Sequence, residues 1–246
     1  MQTVGIIGCG AIGALIAEAV EKGIVGCDAL IVYDYNTARA EQLKHSLHTA
    51  VTVVESVDRM IRLKPTVIVE AASQQAVKDY LDKILSGNID LIVMSVGALL
   101  GLKVKSAKIH FPSGAIGGLD AISAAALAGI DKVVLTTRKN PRVLDLDNRE
   151  EKLVYDGDAE EAVRRFPREM NVAAALALTV APEKVRVKVV SDPNVDKNVH
   201  EIQVKWKHGD MLLKFANEPH PENPKTSALA AWSAIELLKK LLTRSA

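Results

Sequence analysis

The sequence predicts an α/β protein. A parallel sheet wound with helices should occupy the first hundred residues, followed by a smaller α/β unit on an open, largely antiparallel sheet. Three observations lead there. Apolar strand runs alternate with helical patterns up to about residue 109, the grammar of β-α-β units. A glycine-rich turn, Gly8-Cys9-Gly10-Ala11-Ile12-Gly13, sits directly between the first strand and the first helix. Beyond about residue 184 the strands alternate strictly between apolar and polar residues, which suits a sheet with one packed and one wet face.

Thr3 to Ile7 is the first strand, and Ile12, Leu15, Ile16, Ala19 and Val20 then recur at helical spacing. Ala29 to Tyr33 is a second buried strand closed by Asp34. Further strand runs are Val51 to Val54, Thr66 to Glu70 and Asp90 to Ser95, with helices over Ala38 to Leu47 and Gln74 to Leu85. From His110 the chain is turn-rich and leads into a small-residue helix, Asp120 to Ala128; Val172 to Val180 reads as another core helix. Val185, Val187 and Val189 share one strand face, as do His200, Ile202, Val204 and Trp206 on the next. His208-Gly209-Asp210 turns the chain into Met211 to Ala216, a hairpin. Ser227 to Thr243 closes the chain with an apolar stripe of Leu229, Trp232, Ile235, Leu238 and Leu242.

Composition narrows the function classes. With hydrophobic residues at 48% and charged residues at 25% of 246, the chain is an ordinary globular protein. The 31 basic and 30 acidic residues nearly cancel, and no basic run stands ready to neutralise a phosphate backbone, so no nucleic-acid partner is expected. No apolar stretch reaches the roughly 18 residues of a membrane helix, and no leader pattern opens the chain, so no membrane partner is expected either. Two cysteines, Cys9 and Cys27, are too few for a disulfide framework, which implies a reducing, cytoplasmic compartment. No histidine or cysteine pair has metal-ligand spacing, and no metal is expected.

The glycine turn carries the first chemistry. Gly8 permits the tight turn, Gly10 lets backbone approach a pyrophosphate, and Gly13 lets helix and strand pack closely. The helix N-terminus at Ala11 and Ile12 offers free N–H groups and partial positive charge to the phosphates. Asp34 follows Gly13 by 21 residues at the end of the second strand, where a carboxylate can accept from both ribose hydroxyls. Together these predict a Rossmann unit binding NAD. A carboxylate at Asp34 repels a 2′-phosphate, although Arg39 one turn on leaves NADP possible. Ala71, in Glu70-Ala71-Ala72-Ser73, is a small residue beyond a strand end and a candidate cofactor contact; Ser73 and Ser95 follow strand ends where ligands bind, although ordinary loop chemistry, with Ser73 as an N-cap, explains each serine alone.

Two segments of the second region are candidates for the reaction. Asp192-Pro193-Asn194-Val195-Asp196-Lys197-Asn198-Val199-His200 is a polar loop that delivers a histidine onto a packed strand face. Histidine exchanges protons near neutral pH, and Asp192 could orient or charge it; a satisfied core histidine is the alternative. Asn198 is a candidate substrate contact beside it. Before the last helix, Lys225, Thr226 and Ser227 offer hydroxyls, a cation and a helix N-terminus to a carboxylate, although capping alone explains the hydroxyls.

Read together, these segments resemble the L-aspartate dehydrogenase family over essentially the whole chain. The resemblance rests on GIIGCGAIG at 5–13, VEAAS at 69–73, SGAIGGLDA at 113–121, NVAAALAL at 171–178, SDPNVDKNVHEI at 191–202 and NPKTSALAA at 223–231. It implies a Rossmann domain over 1–109, completed by a C-terminal segment, 218–246, whose helix returns to it. A substrate and dimerisation domain is implied over 110–217. It further implies NAD(P)-dependent deamination of L-aspartate to oxaloacetate and ammonia through iminoaspartate, a homodimer, and a link to pyridine nucleotide biosynthesis. His200 maps onto the family's active-site histidine, and Ala115 and Asn171 onto its cofactor contacts. Ala230 stands where threonine is expected in many relatives.

The mechanism implied has the aspartate amine neutral, hydride leaving Cα, and His200 as base for water and then acid for ammonia departure. Two other readings remain open from sequence. One is a dehydrogenase or reductase of similar two-domain build acting on an aldehyde or another imine; the other is a non-enzymatic NAD-binding redox sensor.

Overall fold

Continuous apolar runs become the inner strands of the first sheet. Its strands are β1 (Thr3–Ile7), β2 (Ala29–Tyr33), β3 (Val51–Val53), β4 (Val67–Glu70), β5 (Asp90–Val93) and β6 (Ile109–His110), in the order β3-β2-β1-β4-β5-β6 and all parallel. Helices α1 (Ala11–Glu21), α2 (Thr37–His45), α3 (Val57–Arg62) and α4 (Gln74–Ser86) lie between the strands. These are the coordinates of a computed structural model, which describes residues 2–102, 106–167, 169–220 and 223–244, with backbone alone at 220, 223–226 and 244. The chain divides into two compact units, Met1–Pro112 with Ala231–Ala246, and Ser113–Ala230.

In the first unit, one core joins Val4, Ile6, Leu30, Val32, Val67, Val69 and Ile92 of the strands to Ile16 and Val20 of α1. The last helix, α8 (Ala228–Arg244), contributes Ala234, Ile235, Leu238, Leu241 and Leu242 to the same core. Of the predicted apolar stripe, Ile235, Leu238 and Leu242 are buried in this core while Leu229 and Trp232 are exposed, and Gln2 Nε2 donates to the Leu242 carbonyl at 2.9 Å. On the other side of the sheet, Ile7, Ile31, Ile68 and Leu91 are buried with Met60 of α3 and Val77, Leu81 and Ile84 of α4.

The second unit carries α5 (Leu119–Ala128), β7 (Ile130–Lys139), β8 (Lys152–Asp158), α6 (Ala159–Arg165), α7 (Asn171–Val180), β9 (Val185–Ser191), β10 (Asn198–Trp206) and β11 (Gly209–Asn217). Its five-stranded sheet runs β11-β10-β7-β9-β8; β7 and β9 are parallel, and the other three pairings are antiparallel. Alternation sorts the side chains. Val133, Leu135, Val187, Val189, Ile202 and Val204 point into the layer that α5, α6 and α7 cover, while Glu201, Gln203, Leu212 and Lys214 lie on the opposite face. A short hairpin, β12 (Pro219–His220) with β13 (Asn223–Ser227), then leads into α8.

Several elements differ from the sequence expectation. α3, β6, β7, β8 and α6 were not anticipated. The β10–β11 turn falls at Lys207 and His208, one residue early, because Trp206 pairs with Gly209. Pro224 lies inside β13 rather than ending an extended segment; an edge strand tolerates proline because its unpaired side needs no N–H.

Candidate cofactor and active-site residues

In the first unit the candidate residues gather beyond the C-terminal ends of the strands, where doubly wound sheets bind ligands. Gly8 adopts φ +97°, and a Cβ there would meet the Ala71 carbonyl oxygen at 2.7 Å. At Gly13 a Cβ would sit 2.0 Å from the Gly8 carbonyl oxygen, so only glycine lets α1 pack this close to the turn. Gly10 is different, since nothing lies within 4 Å of where its Cβ would stand. It is the N-cap of α1 and supplies no side-chain acceptor, and the first turn from Ala11 and Ile12 contains no acid. Bare N–H groups at a positive helix end, with room above Gly10, fit a pyrophosphate.

Asp34 is 8% exposed and turns its carboxylate inward to the glycine turn. Oδ2 accepts the Cys9 backbone N–H at 2.8 Å, and Oδ1 accepts that of Asn36 at 2.9 Å. Each oxygen retains a lone pair, so the carboxylate can still receive a ribose hydroxyl. The Cys9 thiol is pushed up to about 12, by burial first and Asp34 second, and is inert within the glycine turn.

Glu70 was read from sequence only as part of a small-residue turn, yet it organises two turns. Its Oε1 accepts from the Ala72 and Ser73 N–H groups at 2.9 and 2.8 Å and from the Ser95 hydroxyl at 3.0 Å. Oε2 accepts the Ser95 N–H at 3.0 Å. Burial raises its pKa, and the bonds from Ser95, Ala72 and Ser73 oppose the rise. Ser73 also caps α4, accepting the Ala76 N–H at 3.1 Å.

The second unit gathers buried polar residues at one end of its sheet. Thr137 and Lys139 on β7, Ser191 on β9, Asn198 and His200 on β10, and Ser227 on β13 are all between 0% and 3% exposed. Register explains the gathering: His200 stands opposite Thr137, and Lys139 opposite Ser191. Thr137 Oγ1 lies 3.0 Å from His200 Nδ1, and Asn198 Nδ2 donates to Ser227 Oγ at 3.4 Å. Burial, then the charge of Lys139, pushes the imidazole down to about 3, so it is neutral at physiological pH.

Asp192 does not partner His200. It pairs with Arg138 at 2.8 Å and accepts the Asn194 N–H at 2.9 Å, while Arg138 also bonds Glu151. The strand alternation sets Arg138 and His200 on opposite faces, so Asp192 holds the loop and Thr137 takes the orienting position. Ala115 is buried, and its carbonyl accepts from Asn217 Nδ2 at 2.9 Å; Asn171 begins α7. The side chains of Lys225 and Thr226 lie outside the described residues.

Thr137, Lys139 and Ser191 were missed from sequence. The signal was parity: Val133, Leu135, Thr137 and Lys139 continue one strand face from apolar into polar.

A glycine turn, an acid at the end of β2 and a buried neutral histidine in a second sheet define a pyridine-nucleotide-dependent oxidoreductase. Residues 8–110 match the family model described as homoserine dehydrogenase, NAD binding domain, and residues 120–241 match aspartate dehydrogenase, C-terminal. The chain is 42% identical to the L-aspartate dehydrogenase of Methanothermobacter thermautotrophicus, covering 98% of this chain and 96% of that one. It is 39% identical to that of Methanosarcina acetivorans, covering 98% and 97%. Among solved structures, aspartate dehydrogenase from Thermotoga maritima superposes with a TM-score of 0.77 at 30% identity, covering 98% and 97%. Myo-inositol dehydrogenase from Lactobacillus casei, at 10% identity and TM-score 0.61 over 99% and 87%, shares the fold alone. The chain belongs to the L-aspartate dehydrogenase family.

Proposed function

We propose that this protein catalyses the reversible NAD-dependent oxidative deamination of L-aspartate to oxaloacetate and ammonia, through iminoaspartate. The observation that carries the reading is His200: a buried, neutral imidazole held at Nδ1 by Thr137, on a sheet whose polar end can receive a polar substrate. When bound, the nicotinamide supplies a two-electron acceptor for the hydrogen on Cα.

The chain's own residues do the rest. The N–H groups above Gly10, Ala11, Ile12 and Gly13 bind the pyrophosphate, and Gly8 and Ala71 keep the backbone close beneath it. Asp34 receives the adenosine ribose, favouring NAD over NADP because a carboxylate there repels a 2′-phosphate. Ala115 and Asn171 contact the nicotinamide half. Asn198, Lys225, Thr226 and Ser227 bind substrate. Thr137 fixes the ring of His200, which takes a proton from the water that attacks the imine carbon and returns it to the departing ammonia. Two compact units support a cofactor domain and a substrate domain near the expected 1–109 with 218–246 and 110–217, except that residues 218–230, with Lys225, Thr226 and Ser227, go with the substrate unit.

Iminoaspartate is also a precursor for pyridine nucleotide biosynthesis, which gives the reaction a place in a cytoplasmic pathway. The face of the second sheet opposite α5, α6 and α7, where Leu212 and Leu153 are exposed, supports a homodimer formed through it.

The deciding experiment follows NADH oxidation by oxaloacetate with and without ammonium. Ammonium-dependent oxidation yielding aspartate is the expected result. Oxidation without ammonium would point to a hydroxy-acid dehydrogenase. Tight NADH binding without turnover would favour another imine substrate or the redox sensor.

A further inference from the structure

Glu70 is 1% exposed at the end of the first sheet that gathers the candidate cofactor residues, and the reaction above gives it no role. Backbone hydrogen bonds carry the parallel ladder one step past the strands. The Gly8 N–H donates to the Tyr33 carbonyl at 2.8 Å, the Ala71 N–H to that of Ile7 at 2.8 Å, and the Met94 N–H to that of Glu70 at 3.0 Å. The ends of β2, β1, β4 and β5 therefore stand side by side, in that order. A dinucleotide is two nucleosides joined by a pyrophosphate. With Asp34 beyond β2 for the adenosine ribose and the glycine turn beyond β1 for the pyrophosphate, the second nucleoside falls on the turns beyond β4 and β5, across the point where the strand order reverses.

Those two turns share one acceptor. Glu70 collects the N–H groups of Ala72, Ser73 and Ser95 and the Ser95 hydroxyl, four bonds on two oxygens. Where the strand ladder ends, the carboxylate continues the link from the turn after β4 to the turn after β5. The first of these turns lies directly against the glycine turn, at the Ala71 carbonyl beside Gly8. The second leads into Val96–Leu99, a single helical turn whose four residues are all buried. We propose that Glu70 is a positioning residue for the nicotinamide half of the cofactor: by tying the Ala72 and Ser73 turn to the Ser95 turn, it fixes the surface on which that half lies. This rests on the nucleotide orientation proposed above. Glu70 acts through the backbone it holds, and proton transfer stays with His200.

Glu70→Gln tests this without loss of volume. An amide presents one acceptor oxygen and one donating NH2 group, so it can serve the Ala72 and Ser73 N–H groups or the Ser95 N–H, but not both. NADH and ADP-ribose, which lacks the nicotinamide, are each titrated calorimetrically into wild type and variant, well below the melting temperature of either protein. Wild type should bind NADH more tightly than ADP-ribose, through contacts of the nicotinamide half. In Glu70→Gln the Kd for NADH should rise about tenfold while that for ADP-ribose holds, the effect of losing one hydrogen bond to a charged group. Ser95→Ala removes the hydroxyl bond alone. It should move the same ratio in the same direction by a smaller factor, and it carries the comparison if the glutamine variant fails to fold. A purely structural role predicts a lower Tm with the ratio unchanged.

An unchanged ratio, equal losses for both ligands, or a wild type that does not distinguish them would overturn the assignment. A ratio that collapses in a protein without ammonium-dependent turnover would refute the reaction and leave the Glu70 assignment standing. Ammonium-dependent turnover with an unchanged ratio would do the reverse.

Discussion

The Asp34 carboxylate closes the glycine turn from beneath, accepting the backbone N–H of Cys9 at 2.8 Å. The residue proposed to read the ribose is therefore also tied to the turn proposed to hold the phosphates. Asp34→Ala should weaken NADH binding by about tenfold or more, since a charge-assisted hydrogen bond and its ribose partner are lost together. The NADPH-to-NADH affinity ratio should rise, because the charge opposing a 2′-phosphate is gone. Fluorescence titration with both nucleotides measures this, and an unchanged ratio would remove Asp34 from the ribose site.

Two glycines of the same turn should respond differently to one added methyl. Gly13→Ala forces a Cβ to within 2.0 Å of the Gly8 carbonyl, so the helix must shift. A loss of about 1–3 kcal/mol is expected from such overpacking. Gly10→Ala meets open space, so stability should hold while NADH affinity falls. Thermal melts with and without NADH separate the two effects.

Glu70→Ala would strand three backbone N–H groups, those of Ala72, Ser73 and Ser95. A buried donor left unsatisfied costs about 1–3 kcal/mol, so this should be among the most damaging single changes in the first unit. Glu70→Gln keeps one carbonyl acceptor and should cost less. Urea midpoints for the pair give the ordering, and equal midpoints would contradict it.

His200→Ala should lower kcat by about 10²–10⁴-fold, the range for positioned proton transfer, with NADH affinity unchanged. Thr137→Val removes the Nδ1 partner but not the ring, so a smaller loss in kcat is expected. Steady-state kinetics with a direct NADH titration tests both. Full activity in His200→Ala would end its assignment.

Acid should destabilise the fold through His200. The folded imidazole titrates at about 3, against 6.5 for the free group. Below about pH 6.5 the unfolded chain takes up a proton that the folded chain refuses, so the contribution is complete above that pH and lost as the pH falls toward 3. The slope is about 1.4 kcal/mol per pH unit for one such proton. Urea unfolding of wild type and His200→Asn between about pH 6.5 and 4.5, above the range of ordinary aspartates, should give curves diverging by that slope. Parallel curves would contradict it.

Much of this was legible in the chain because the signals were local. The GxGxxG turn, Asp34 at the next strand end, and the paired alternation of β9 and β10 need only a few neighbouring residues to be read. His200 could be set on a packed face for the same reason. Its partner could not: Thr137 is 63 residues away and meets it only through the β7–β10 register. β7 was missed because its apolar residues, Val133, Val134 and Leu135, are consecutive and give no clean period. Glu70 was passed over because an acid between apolar strand residues and alanines gives no hint of the three N–H groups it collects. Asp192 was misjudged because nearness in sequence to His200 concealed the opposite faces of the sheet.

The polar end of the second sheet has an evolutionary consequence. Thr137, Lys139, Ser191, Asn198 and His200 project from strands whose backbone ladders do not depend on which side chain each position carries. The glycine turn, by contrast, admits almost no replacement at Gly8 or Gly13 without moving main chain. Drift toward new substrates would therefore accumulate on β7, β9 and β10 while the glycine turn stays fixed, and a library confined to Lys139, Ser191 and Asn198 would sample new specificities with His200 and Thr137 kept.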